Sequence, residues 1–260
     1  MKKTLALANG IALIITIFVN YLSNTGALNG NTMKTVSDKY FNYFTPAGFA
    51  FSIWGLIYVG LIVFVFYNGL QAFKKDDKDP VLMKIGWWFV LSCCANSLWV
   101  VSWLYDYTVL SVFMMLVILF SLGKIVVNTR MELDSHPFKS YLFIFWPFAI
   151  YFGWISVALI ANVAALLTKV GWSGWGISNV AWTIIMICIA GLVNIVMVRI
   201  RNLREYAMVG IWALIAISVS NTNNNGPKSI IYTCYVVAAI LFIFIIINAS
   251  KNRHRSFEKM

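Results

Sequence analysis

The chain has 260 residues, 61% of them apolar and 11% charged, with a formal net charge of +11. A soluble domain is roughly 45–50% apolar and about 25% charged, so a soluble enzyme, a disordered chain, a disulfide scaffold and a separate globular domain are excluded. Nucleic acid is not the expected partner of the positive charge either, because the lysines and arginines sit in short gaps between apolar runs, where they set membrane orientation.

Eight such runs follow one another, at roughly 4–23, 47–72, 85–105, 108–128, 140–168, 177–198, 206–221 and 229–249. All but 206–221 are near or above the length a spanning helix needs. They are apolar on every side, unlike the alternating strands of a barrel. A helix is therefore the expectation, since it satisfies its own backbone within lipid. With the N-terminus inside, 16 of the 20 Lys and Arg residues fall in cytoplasmic segments and 4 (Lys34, Lys39, Lys169 and Lys228) outside. The bias predicts an all-α integral membrane protein of eight helices with both termini cytoplasmic. Lys2 and Lys3 before an apolar run also open a secretory signal. This run continues for nearly 20 residues without a clear small-x-small cleavage site, so it is read as a span.

The second run contains Pro46, Trp54 and Tyr58, the last two four apart and so on one helix face. In the third, Asn96, Trp99 and Trp103 share a face at i, i+3 and i+7. The fifth places Trp154, Ala158 and Asn162 at i, i+4 and i+8, with Ala158 and Ala161 small enough for a close neighbour. These patterns support two readings: amides and rings that glue helices together, or an aromatic pocket with a few polar anchors for a flat apolar ligand. Trp87, Trp88, Trp172 and Trp175 lie at run ends, where indoles favour the membrane interface.

Cys93, Cys94, Cys188 and Cys234 lie within runs and read as small apolar residues, with neither metal-ligand spacing nor a disulfide framework. All nine acidic residues and both histidines fall in loops or at run ends, Asp106 being the deepest candidate. A proton relay, a retinal-type counter-ion site or a membrane-embedded acid–base enzyme needs an ionisable group inside a span. No catalytic residue, metal site or covalent cofactor is expected.

These residues resemble the translocator protein family, also called tryptophan-rich sensory proteins (TspO/MBR). Pro46, Trp54 and Tyr58 match the proline, tryptophan and tyrosine spacing of its second helix. Asn96-Ser97-Leu98-Trp99, followed by Leu104-Tyr105, is similar to its third. Tyr151, Trp154, Ala158 and Asn162 match the named positions of its fifth. The resemblance covers roughly 1–170, including a long gap at 24–45 where the family has a loop lidding its pocket. Residues 171–260 then form a three-helix extension with a basic C-terminal tail. Two departures stand out. Thr45 and Gly48 occupy positions where the family has a proline and a tryptophan, which puts porphyrin breakdown in doubt. Val100 and Val101 replace prolines, which removes a kink.

The resemblance implies a five-helix bundle binding a tetrapyrrole or sterol-like lipid, and commonly a homodimer. It places the ligand against Trp54, Tyr58, Asn96, Trp99, Trp154, Ala158 and Asn162, with Trp103 added from spacing. The expected function is a sensor or carrier for a flat hydrophobic ligand, non-enzymatic, in a membrane read as the bacterial cytoplasmic one. A secondary transporter of a small hydrophobic molecule is the alternative, although no paired repeat supports it. The basic loop Arg199–Arg204 and the tail Lys251–Arg255 are orientation signals with the chemistry to attract anionic lipid at the cytoplasmic face.

Overall fold

The computed structural model describes residues 1–74, 81–134 and 136–257, with side chains described as far as 251. Lys75, Lys78 and Lys259 of the orientation count lie outside the described residues, as do the side chains of Arg253, His254 and Arg255 in the tail. The described residues are helical and contain no strand.

In chain order the helices are α1 (Lys2–Leu22), α2 (Met33–Lys39), α3 (Ile53–Ala72), α4 (Val81–Ile85), α5 (Trp88–Leu104), α6 (Thr108–Asn128), α7 (Phe138–Ser140), α8 (Trp146–Lys169), α9 (Asn179–Arg201), α10 (Arg204–Asn223) and α11 (Lys228–Phe257). All eight expected runs are thus helices. Six of them are long and apolar enough to cross a membrane: α1, α3 with its leading 3-10 turn, α6, α7–α8, α9 and α11 up to Lys251. The protein is an integral membrane protein, and large apolar side chains such as Ile14, Phe66 and Leu192 stand exposed on its flanks, as lipid-facing residues do. α5 falls short at 17 residues. α10 is less apolar because it faces protein, burying Tyr206, Ser218, Ser220 and Asn221.

Five helices close a ring. α1 packs between α3 and α5, α5 against α6, α6 against α8, and α8 back on α3. α10 docks on the outside of α8, while α9 and α11 pack on α10 and on each other. The main core runs through this junction: Leu203, Tyr206, Val209 and Ala216 belong to the same apolar cluster as Trp99 and Trp154.

The sequence sets the turns and close approaches. Asp106 takes a left-handed conformation (φ 65°) in the turn between α5 and α6, and Asn202 (φ 57°) does so between α9 and α10. Short polar side chains tolerate that region best. Pro147 sits at the start of α8 and lacks an N–H. The backbone before it widens into a π-turn over Tyr141–Phe145, which relieves the clash a proline makes with the preceding turn. α3 also comes close at Pro147, since a Cβ on Gly60 would lie 3.1 Å from its ring. Gly153 allows the tightest approach of α8 and α10: a Cβ there would meet the Tyr206 carbonyl oxygen at 2.8 Å. α5 runs without a break through Val100 and Val101, as expected where prolines are absent.

Candidate functional site

The tryptophan faces converge inside the five-helix ring. Trp54 is at the centre. Its ring stacks on Tyr58 (5.5 Å between centroids, 20° between planes), tilts against Trp99 at 5.8 Å, and meets Tyr151 and Trp154 edge-on at 5.8 and 6.4 Å. Such offset and edge arrangements place the positive ring edge on the negative face.

Trp54, Trp99, Trp103, Trp154, Ala158 and Asn162 line one cavity, along with Thr45 and Pro46 ahead of α3 and Met33 and Ser37 of α2. Its volume is about 50 Å³, room for one or two waters at roughly 30 Å³ each. Tyr58 faces the other way. It lines a groove of about 310 Å³ bounded by α1, and Met33, Phe51 and Trp54 form the wall between the groove and the cavity.

Asn96 lines neither space. Its side chain is fully buried, accepting from Asn20 Nδ2 at 2.8 Å and donating to Tyr151 Oη at 3.0 Å. It ties α1, α5 and α8 together. Asn162 is held in the same manner, accepting from Trp99 Nε1 at 3.0 Å and donating to Ser111 Oγ at 2.9 Å. Both amides therefore join helices, although Asn162 also faces the cavity. Two donors are left over instead. Tyr58 Oη and Trp154 Nε1 are buried and have no hydrogen-bond partner among the described residues. An unpaired buried donor is costly, and both of these side chains pack on Trp54.

Four contributors escape sequence reading. Ser111 and Met115 come from α6, which carries no tryptophan pattern, and Asn20 is one of two amides, with Asn9, in an apolar run. Phe51, in the 3-10 turn, meets Trp154 edge-on at 6.3 Å.

α2 is the lid that the long first gap suggests. A reciprocal Thr32–Thr35 cap starts it, and Trp103 Nε1 donates to the Met33 carbonyl at 3.3 Å. Its far end is latched by Asp106, which receives Lys39 Nζ at 2.7 Å, Tyr40 Oη at 2.7 Å and Lys169 Nζ at 3.0 Å. Partial burial pulls the Asp106 carboxyl up, but hydrogen bonds from Lys39, Tyr40 and Lys169 outweigh it and hold the group at about 2. The ordinary value is 3.8, so the latch is complete above that pH and fades as pH falls toward 2. Asp106→Asn should speed amide exchange across Met33–Phe44 about two- to fivefold at neutral pH, as expected when charge-assisted bonds of this exposure are weakened. Hydrogen-exchange mass spectrometry checks this, and unchanged exchange would show that the lid is held by packing alone.

The segment leading into α3 is held from outside the ring. Asn221 Nδ2 donates to the Tyr43 carbonyl at 2.9 Å, Ala47 N–H to the Ala216 carbonyl at 3.0 Å, and Trp212 Nε1 to the Ala50 carbonyl at 3.4 Å. α10 thus fixes the wall formed by Thr45 and Pro46.

The chain is thus a helical membrane bundle whose five-helix ring has a tryptophan-lined interior. The sequence model of the TSPO-like protein family matches residues 6–247, and the chain belongs to that family. The match continues past α8 through α9, α10 and most of α11. No curated protein and no solved structure matches the chain.

Proposed function

We propose that the protein is a non-enzymatic membrane receptor or carrier for a flat hydrophobic ligand of tetrapyrrole or sterol-like type. The chain crosses the membrane eight times with both termini cytoplasmic, in keeping with its Lys and Arg bias and its eight consecutive helices. The bacterial cytoplasmic membrane is the location this reading assigns. The observation that carries the reading is the pair of unpaired buried donors, Tyr58 Oη and Trp154 Nε1, on two side chains packed against the Trp54 ring.

The cavity of about 50 Å³ is far below the roughly 300–1,000 Å³ of ordinary ligand sites. Binding on this reading joins it to the 310 Å³ groove, with Met33 and Phe51 turning aside, the lid easing outward and the Trp54 ring staying in place as the platform. The rings then stack on the ligand faces, and Tyr58 and Trp154 donate to acceptors on its edge. Asn96 and Asn162 hold the helices rather than the ligand.

Protoporphyrin quenching of tryptophan fluorescence in the purified protein tests this. Saturable quenching in the low micromolar range is expected. Trp154→Phe keeps a ring but loses the donor, and should weaken binding about five- to tenfold, the size of one net hydrogen bond. Trp54→Phe should weaken it as well. Non-saturable quenching that ignores both substitutions would discard the reading.

A further inference from the structure

A second space lies outside the ring, between α8 and α9. It is a groove of about 620 Å³ and shares no lining residue with the cavity. It exists because α9 takes α10 and α11 as its packing partners, which leaves α8 uncovered along one face. The first loop separates the two spaces: Tyr43 and Phe44 wall the groove, while Thr45 and Pro46 wall the cavity.

The groove is graded in polarity. Ile160, Val163 and Ala164 of α8 and Met186 of α9 line its deep part. Asn42, Thr168, Asn179 and Thr183 lie toward the end where α8 finishes and α9 begins. Trp172 and Trp182 line this same end, packed on each other at 5.3 Å, and Trp175 beside them is 79% exposed. Indole clusters of this kind settle at the membrane interface. The lining contains no charged side chain. Lys169, next along α8, is engaged by Asp106 through both its side chain and its backbone carbonyl.

We infer that this groove is a binding site for an uncharged amphiphile, taking one acyl chain between α8 and α9 and a hydroxyl- or ester-bearing head at the Asn42, Thr168 and Asn179 end. The gradient matches such a molecule end to end. The volume is that of a site for one small ligand, and a charged head would find no free partner at the mouth. The inference does not depend on the cavity ligand.

The test uses full-length protein in phosphatidylcholine nanodiscs and a monoacylglycerol with a diazirine in its chain. After irradiation, peptide mapping should find adducts on 160–168 and 179–186, suppressed by excess unlabelled monoacylglycerol. Ala164→Phe, which fills the deep part, should reduce the labelling at least fivefold. Asn179→Leu adds little bulk at the exposed end and should reduce it about threefold, which keeps the inference testable if the first variant folds poorly. Adducts spread evenly over lipid-facing helices without competition would mean annular lipid only, and would overturn the site. Equal, competed labelling by a phosphatidylserine probe would overturn the uncharged head.

Discussion

Gly153→Ala should sharply destabilise the protein, whereas Gly69→Ala should leave it unchanged or slightly more stable. The added Cβ at 153 would lie 2.8 Å from the Tyr206 carbonyl oxygen and 3.1 Å from its Cα. Both are backbone atoms, so no rotamer change relieves the clash and α10 must shift as a body. Overpacking of this kind costs about 1–3 kcal/mol. Here the shift also pulls the Ala216 carbonyl away from Ala47 N–H, so Gly153→Leu should yield little monodisperse protein. At Gly69 an added Cβ meets nothing within 4 Å, and alanine gains up to about 1 kcal/mol of helix propensity over glycine. Thermal unfolding in a fixed detergent checks the pair. Equal transitions for the two variants would show that α8 and α10 are not in tight contact.

The second large effect belongs to Trp54→Ala. Trp54 packs on Tyr58, Trp99, Tyr151 and Trp154 and also divides the cavity from the groove. Two roles predict opposite results. A ring that only plugs the site would, when removed, open the space and strengthen binding. A ring that forms the ligand platform would, when removed, forfeit stacking and buried area, together worth about 1.5–3 kcal/mol. The platform role is favoured, because four aromatic neighbours are already arranged around the position the ring occupies. The dissociation constant for a flat ligand should therefore rise about 10- to 100-fold, as read by titration calorimetry. Tighter binding by the variant would assign the ring to the plug.

Much of this architecture was legible in the sequence, and the reasons differ from one element to another. The eight helices could be read because lipid demands long apolar runs, and a run such as Lys228–Lys251 admits little else. The tryptophan faces could be read because Trp54 and Tyr58, or Trp99 and Trp103, lie at helical spacing. Spacing could not tell which way a polar atom is spent. Asn96 and Trp154 each looked like a ligand contact, yet Asn96 is used up by Asn20 and Tyr151, while Trp154 keeps its donor. That outcome depends on α1 reaching α5 at one register, which no local pattern encodes. The motifs that carry the resemblance end near residue 170, whereas the family match continues to residue 247. Nothing in the composition of α10 announces that Asn221, Trp212 and Ala216 reach back to the first loop. Those bonds join residues 162 and 178 positions apart for Trp212 and Asn221, and sequence periodicity carries no information over such a separation.

Those distant bonds also set an order of events. The ribosome delivers the chain from the N-terminus, so α1, α3, α5, α6 and α8 can assemble while α10 is still unmade. The carbonyls of Tyr43 and Ala50 and the N–H of Ala47 then have no mate, and Thr45 and Pro46 have nothing to brace them. The cavity wall is completed only when residues 212–221 emerge and dock beside Gly153. A chain released early, with its first five helices intact, would carry the rings of the site but not its final shape. Residues 212–221, made after every ring helix, thus finish the wall of a site whose tryptophans all precede them.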